Sequence, residues 1–226
     1  MSSGVTGAKM VQCPSCARLA EPCLVCPQCG GPLAAETDGF TALGLSRKLV
    51  IDPAALERAY HALSRRIHPD RFASSPPAVR DASLRGTALL TRSYRILRDP
   101  VTRGIYWLEL NGEQLNQDNN RVPPELAAMV FEAQEQLAEL RDARRGDAAQ
   151  AREMAAGIAE RRAALAGLID QARGDLQRNF ERWDGGESER TALSGDLKAI
   201  LSRIAYLRTL MRDVDRELEE PSAVTL

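Results

Sequence analysis

Two amphipathic helical patterns lie on either side of the tripeptide His68-Pro69-Asp70, and this pair most restricts how the chain can fold. The first begins at Asp52-Pro53, an N-cap residue followed by a proline suited to the first helical position. Pro69 disfavours helical backbone at His68, so this helix should end there. The second follows Pro76-Pro77 and runs to Asp99-Pro100. Together they predict an antiparallel hairpin with the tripeptide, here called the tip, at its end. Their apolar positions are Leu56, Ala59, Tyr60, Leu63 and Ile67, then Val79, Ala82, Leu89, Leu90, Tyr94, Ile96 and Leu97.

The segment after Pro123-Pro124 carries three further helical stripes of apolar residues. Breaks fall at Gly146-Asp147 and at Gly185-Gly186, and Ser188 is the predicted N-cap of the last helix. Long helices joined by tight turns predict an antiparallel three-helix bundle. The stripes contain Leu126, Met129, Val130, Ala133, Leu137 and Leu140; Met154, Ile158, Leu165, Leu168, Ile169, Ala172, Leu176, Phe180 and Trp183; and Leu193, Leu197, Ile200, Ile204, Leu207, Met211 and Val214.

The composition agrees with an all-α chain and excludes some classes of partner. Hydrophobic residues make up 44% of the 226 residues and charged residues 27%, so the chain can bury cores. The net charge of -1 provides no overall basic field for nucleic acid. No apolar run approaches the roughly 20 residues that span a bilayer. We therefore expect neither a nucleic-acid nor a membrane partner.

The N-terminal region carries two Cys-Pro-x-Cys pairs, Cys13 with Cys16 and Cys26 with Cys29. Pairs of this spacing are typical of tetrahedral zinc, because each short turn directs two thiolates at one ion. Cys23 also lies at this spacing from Cys26, but the shared Cys-Pro-x-Cys form favours the other four as ligands. The expected site is a structural zinc site; a redox dithiol and ordinary loop cysteines are the alternatives. We expect no signal peptide, and hence reduced thiols in a cytoplasmic protein.

A basic face leads into the tip. At about 100° per residue, Arg58 and Arg65 lie opposite the apolar stripe of the first helix, with Arg66 at its flank and Arg71 just beyond the tip. A solvated charged face is one interpretation. Docking on an acidic protein surface is the other, and the position beside the tip favours it.

Several apolar side chains of the predicted bundle are expected to face outward. Phe131 lies about 140° from the stripe of its helix, with small and acidic residues around it. Tyr206 and Leu210 also fall off the stripe of the last helix. A surface of this kind suits a protein client, although a single exposed Phe is often ordinary surface. We call Ala127, Ala128, Phe131, Glu132 and Glu135 the outer patch.

The hairpin with its tip resembles the J domain of DnaJ-type co-chaperones, and residues 40 to about 218 resemble the HscB family. The resemblance rests on four stretches and the helical region behind them: Leu43-Gly44-Leu45, the helix start from Asp52 to Tyr60, His68 to Ala73, and Tyr94-x-x-Leu97-x-Asp99-Pro100 with the block from Arg103 to Gly112. The paired cysteines are similar to a module that precedes the J domain in some members. The implied domains are a leader (1–10), a zinc-ribbon-like module (11–33), a J domain (40–110), a linker (111–122), a three-helix bundle (123–218) and a tail (219–226).

The resemblance also implies a function. The tip, helped by Arg58, Arg65, Arg66 and Arg71, would contact a DnaK/HscA-class heat-shock chaperone and stimulate its ATP hydrolysis. The outer patch would hold an IscU-like scaffold for iron–sulfur cluster assembly, and we expect the chain itself not to be an enzyme. The alternatives are a J-domain co-chaperone for other clients, a zinc-ribbon adaptor that is regulatory or binds nucleic acid, and, for the tip, a purely structural turn.

Overall fold

The computed structural model describes residues 10–33, 36–115 and 124–219. Residues 1–9 of the predicted leader, 116–122 of the predicted linker and 220–226 of the predicted tail lie outside the described residues. The chain divides into two compact units, residues 1–106 and 107–226. The elements in chain order are β1 (Val11–Gln12), β2 (Leu19–Ala20), α1 (Gly39–Ala42), α2 (Pro53–Ile67), a 3₁₀ helix (Pro69–Phe72), α3 (Pro77–Arg98), α4 (Pro100–Leu110), α5 (Pro124–Gly146), α6 (Ala148–Asp184) and α7 (Arg190–Glu219).

Helix α2 begins and ends where the sequence predicts. The Asp52 carboxylate accepts the backbone N–H of Ala54 at 3.0 Å, and Pro53 is the first helical residue. The helix ends at Ile67, and His68 has the extended ψ of 131° that a following proline favours. The antiparallel hairpin of α2 and α3 is therefore confirmed, but the expected polar loop contains the 3₁₀ helix.

The core of α3 differs from the predicted stripe. Val79, Ala82, Leu90 and Leu97 are buried as expected, whereas Leu89, Tyr94 and Ile96 are half-buried. The positions that the stripe omitted are small residues: Ser83, Gly86 and Ser93, all buried. The reason is that α3 packs against α1 and α2 and also has Leu24 beside Gly86, so that several segments approach its backbone closely.

Helix α1 is short and is fixed by polar contacts at its start. The Asp38 carboxylate accepts the N–H groups of Phe40 and Thr41 and pairs with Arg47 at 3.0 Å. The N–H of Gly39 donates to the Tyr106 hydroxyl at 2.8 Å, and the Phe40 ring is fully buried. The helix stops before Gly44, whose φ of +68° is a conformation that glycine adopts without strain.

The second unit contains the predicted bundle of α5, α6 and α7. Asp147 caps α6 through the N–H groups of Ala149 and Gln150, directly after Gly146 ends α5. Helix α7 begins at Arg190, one residue later than a Ser188 N-cap would give. One shared apolar core runs through all three helices. Among the described residues, no helix is both long and apolar enough to cross a bilayer.

A buried ion pair joins the end of α7 to α5. The Glu217 side chain is 3% exposed, and its carboxylate accepts Arg141 Nε at 2.7 Å and Arg144 Nη1 at 3.4 Å. Burial of an acidic group is expensive unless it is paired, and here two guanidinium groups pair with it.

Candidate functional site

The tip is an exposed and locally ordered turn. The side chains of His68 and Asp70 are 50% and 90% exposed. The N–H of Asp70 donates to His68 Nδ1 at 3.3 Å, and the Asp70 carboxylate lies 3.4 Å from the same nitrogen. Both contacts lie within the turn, and they leave half of the His68 side chain and most of the Asp70 side chain exposed. The tip therefore offers a polar surface to a partner.

The backbone at the base of the tip is anchored from two sides. The Ile67 carbonyl accepts the hydroxyl of Ser83 at 2.6 Å and that of Thr87 at 3.4 Å. On the other side, Arg71 Nη1 donates to the Arg65 carbonyl at 3.0 Å. The sequence analysis did not predict that Ser83 and Thr87 support the tip. Their spacing was a usable signal, because hydroxyl residues four apart lie on the α3 face that also carries Val79 and Leu90.

The basic face of α2 is solvent-exposed, as predicted. Arg58 is 71% exposed at its side chain and lies 3.7 Å from Asp52, while Arg65 and Arg66 are also exposed. An exposed pair at this distance contributes little to stability. Arg71 differs from these three, because its contact with the Arg65 carbonyl gives it a structural use as well.

The four favoured cysteines meet in one cluster. The Sγ atoms of Cys13, Cys16, Cys26 and Cys29 all lie within 4.8 Å of one another. Cys13 Sγ is 3.6 Å from Cys29 Sγ, and Cys16 Sγ is 3.9 Å from Cys26 Sγ. Four sulfurs at about 2.3 Å from a tetrahedral ion would be roughly 3.8 Å apart. The cluster therefore has the size that a metal ion requires.

The same turn holds each cysteine pair. The N–H of Cys13 donates to the Arg18 carbonyl and that of Cys26 to the Gly31 carbonyl, both at 2.8 Å. The turns end at Ala17 and Gly30, with φ of +59° and +72°. The first turn connects β1 to β2, and the second lies inside the bridge between Val25 and Pro32. This pair of matching turns is the zinc-ribbon-like arrangement predicted for residues 11–33.

The thiols influence one another's ionisation. For Cys26, desolvation raises the pKa, but hydrogen bonds from the N–H groups of Cys29 and Gln28 and from neighbouring thiols outweigh it, and the pKa falls to about 7. For Cys29, the Gly31 N–H lowers the pKa, but desolvation and the neighbouring cysteines raise it to about 12. One thiolate thus forms readily while another is suppressed. A bound divalent cation would offset the repulsion between neighbouring thiolates, so that all four cysteines could bind it as thiolates.

Cys23 lies outside the cluster. Its Sγ donates to the Val25 carbonyl at 3.2 Å, and burial is the main cause that raises the pKa of its thiol. Its sulfur is therefore hydrogen-bonded to a backbone carbonyl and is not among the four sulfurs that lie within 4.8 Å of one another. The geometry thus favours the same four cysteines that the Cys-Pro-x-Cys form does.

The outer patch is exposed along α5. Phe131 is 68% exposed, and Ala127, Ala128, Glu132 and Glu135 are exposed around it. Arg161 of α6 pairs with Glu132 at 3.4 Å, at the side of a groove of about 830 Å³ between the two helices. A single exposed aromatic side chain is common on protein surfaces, so the outer patch stays a prediction as a client-binding surface.

The outward placement of Leu210 was wrong. Leu210 is 3% exposed within the bundle core, and Tyr206 is half-buried against the same core. Helix α7 packs against both α5 and α6, so its apolar face is wider than a single stripe. Leu207, Leu210 and Val214 lie three and four residues apart and share that face.

Curated proteins named co-chaperone protein HscB homolog match this chain. The Bordetella petrii protein is 37% identical over 109 residues, 48% of this chain and 64% of its own length, slightly less than two thirds. The Bordetella pertussis protein is 36% identical over 117 residues, 52% of this chain and 68% of its own. The Bordetella avium protein is 36% identical over 120 residues, 53% of this chain and 71% of its own. The chain belongs to the HscB family of co-chaperones.

Solved structures of other HscB proteins have the same fold. HscB from Vibrio cholerae superposes with a TM-score of 0.56 at 22% identity, covering 80% of this chain and 96% of its own. Human co-chaperone protein HscB superposes with a TM-score of 0.61 at 21% identity, covering 91% of this chain and 97% of its own. A separate scan found no family model that matches the chain. The expected all-α fold of the HscB family is confirmed.

Proposed function

We propose that this protein holds an IscU-like iron–sulfur scaffold and delivers it to a DnaK/HscA-class chaperone, whose ATP hydrolysis it stimulates. Residues 40–110 would serve as the chaperone-binding domain and residues 123–218 as the client-binding domain. The observation that carries the proposal is the exposed tip at the end of the basic helix α2, in a chain of the HscB family.

The chemistry of the tip suits recognition of a charged protein surface. The exposed cations of α2 would steer the protein toward an acidic surface and set its orientation there. His68 and Asp70 would then make directional polar contacts. Binding accelerates the partner's hydrolysis if the contacts favour its hydrolysis-competent conformation, which is a shift of population between two states.

The outer patch supplies a second binding surface. Phe131 provides an aromatic anchor, and Glu132 and Glu135 would pair with basic residues of the scaffold. A scaffold held on the bundle is present at a raised effective concentration near the chaperone. This tethering explains why one chain would need both surfaces.

We further propose that the four-cysteine cluster binds one structural zinc ion through Cys13, Cys16, Cys26 and Cys29. An all-thiolate, four-coordinate donor set suits zinc and leaves no open position for a substrate. The sulfur separations of 3.6 and 3.9 Å support this assignment.

Substitutions at the tip test the main proposal. His68→Gln or Asp70→Asn should abolish stimulation of a DnaK-class ATPase, while the melting temperature should stay near that of the wild type because both side chains are exposed. His61→Gln is the control for loss of an exposed imidazole, since His61 is 56% exposed on α2, seven residues before His68. Unchanged stimulation by both tip variants would refute the proposed role. A large loss of thermal stability would instead favour the structural-turn interpretation.

A further inference from the structure

Three segments of the first unit meet at Gly86 in the middle of α3. A Cβ placed on Gly86 would lie 3.4 Å from Ile67 Cδ1, 3.8 Å from Leu24 Cδ2 and 4.0 Å from the Leu33 carbonyl oxygen. Leu24 is 2% exposed, and Leu33 and Ile67 are fully buried. A glycine in mid-helix is less favourable than alanine by roughly 1 kcal/mol. Here it lies where the cysteine module (residues 11–33) packs against the hairpin.

The second cysteine turn lies between the two leucines. Leu24 and Leu33 lie just outside the segment that contains Cys26 and Cys29, and the Leu33 N–H donates to the Leu24 carbonyl at 2.9 Å. Inside that bond lie the Val25–Pro32 bridge and the turn that orients Cys26. Within residues 10–33, regular structure is limited to two-residue strands and the Val25–Pro32 bridge, and the small apolar core consists of Cys13, Ala20, Cys26 and Leu33. Two of these core residues are proposed metal ligands, so ligation would constrain where Leu33 lies, and Leu24 through its backbone bond to Leu33.

The third segment leads directly to the tip. Ile67 is the last residue of α2, immediately before His68, and its side chain packs at the same place as Leu24. Its carbonyl is held by Ser83 and Thr87, which lie on either side of Gly86 along α3. A shift of the module along α3 would therefore change the packing of Ile67, which is one residue from the proposed chaperone contact.

We propose that the cysteine module positions the tip. The metal site fixes Leu24 and Leu33, which pack beside Gly86. Ile67 packs at the same place, and this packing stabilises the base of the His68-Pro69-Asp70 turn. Leu24 is the positioning residue with the side chain best placed to do so. This inference rests on the proposed function, because the property that the module would control is the ability of the tip to bind the chaperone. Metal occupancy would then lower the concentration of this protein that half-maximal stimulation requires, and it would act through Leu24 and Leu33.

Two pairs of variants test this positioning in the full-length, metal-loaded protein. Leu24→Ala removes the contact, and Leu24→Met, which conserves volume, is its control. Gly86→Leu places a side chain where Leu24 and Ile67 lie, and Gly86→Ala is its control, because a Cβ there meets only ordinary van der Waals distances. Metal content should remain at that of the wild type in all four, because none of them changes a cysteine.

Two readouts are required, and the first does not depend on any partner. Hydrogen exchange at the backbone amides of Asp70 and Arg71 should accelerate roughly tenfold in Leu24→Ala and Gly86→Leu, because weaker packing makes local opening more frequent. The concentration for half-maximal chaperone stimulation should rise by a similar factor while the plateau is retained. Both controls should match the wild type, and chelation of the wild-type metal should reproduce the faster exchange.

The outcomes separate this inference from the proposed function. If Leu24→Ala exchanges and stimulates as the wild type does, the module does not position the tip and the inference is overturned. If the wild type fails to stimulate a DnaK-class chaperone, the proposed function is lost, and the exchange measurement still decides whether the module supports the tip. Should Gly86→Leu fail to fold, the Leu24 pair carries the same test.

Discussion

Single cysteines determine the metal content, and they are not equivalent. Cys16→Ser should lower bound zinc from about one equivalent to near zero, because three thiolates and a poor ligand bind zinc much more weakly than four thiolates. Cys23→Ser is the matched control and should keep the full equivalent, since its Sγ donates to the Val25 carbonyl outside the cluster. Elemental analysis of the purified variants measures both.

Retention of zinc by Cys16→Ser together with loss in Cys23→Ser would overturn the ligand assignment. The same protein should release zinc on acidification, because binding requires thiolates and protons compete for them. The direction is fixed: affinity falls as the pH falls. A chromogenic chelator would follow the release.

Asp38 makes a pH-dependent contribution to stability. Desolvation raises its pKa, but hydrogen bonds from Thr41 and Arg47 outweigh this and lower the pKa below the ordinary value of 3.8. A lowered folded-state pKa adds stability that is fully present above the unfolded pKa and is lost as the pH falls through the folded one. Asn can still cap the helix but cannot pair with Arg47, so Asp38→Asn should be less stable than the wild type at pH 7 by roughly 0.5–1 kcal/mol.

This difference should shrink as the pH falls below 3.8 and should vanish once Asp38 is protonated in the folded protein. Urea denaturation at a series of pH values measures it. A difference that persists unchanged in acid would show that Asp38 acts through packing instead of charge.

At the level of helices, the contact between α5 and α7 depends on Glu217. Glu217→Ala should lower the free energy of unfolding by roughly 2–3 kcal/mol, because removing one partner of a buried ion pair is strongly destabilising. The cost is moderate for such a pair because Arg141 is half-exposed and water can solvate it once Glu217 is gone. Asp213→Ala on the same helix is the control. Its pair with Arg216 is exposed and should contribute about 0.5 kcal/mol or less. Equal effects in chemical denaturation would contradict the special role of the buried pair.

The helix boundaries were easier to predict than the helix faces. Asp52, Pro53 and Asp147 act locally, through caps and fixed dihedral angles, so the sequence was sufficient to place the first residues of α2 and α6. The buried face of α3 and the burial of Leu210 depend on how many neighbours a helix has. A helix with several neighbours buries small polar residues or a wider apolar face. A prediction that assumes one apolar stripe for each helix identifies neither.

At the scale of the whole molecule, the two binding surfaces should be separable. Phe131→Ala should weaken scaffold binding by roughly 1–3 kcal/mol, as loss of an aromatic anchor commonly does. Stimulation of the chaperone by the protein alone should be unchanged, since the tip lies in the other unit, and only the extra stimulation seen with scaffold should fall. Calorimetric titration of scaffold, combined with ATPase measurements, tests both statements.

Stability provides the control for that variant. Phe131 is 68% exposed, so its loss should cost about 0.5 kcal/mol or less, whereas Leu137→Ala, at 3% exposure, should cost roughly 2–5 kcal/mol. Equal scaffold affinities for wild type and Phe131→Ala would show that the outer patch is ordinary surface. The client site would then have to lie elsewhere on the bundle, with the groove between α5 and α6 as the next place to examine.

The sequence by itself determined the all-α architecture, the hairpin with its tip, the three-helix bundle and the choice of four cysteines over Cys23. These follow from periodicity, caps, breakers and spacing, all of which act over a few residues. Tertiary structure alone decided that Ser83 and Thr87 anchor the Ile67 carbonyl and that Leu24 and Leu33 reach Gly86. Those contacts join residues 16 to about 60 positions apart, and only folding brings such residues together.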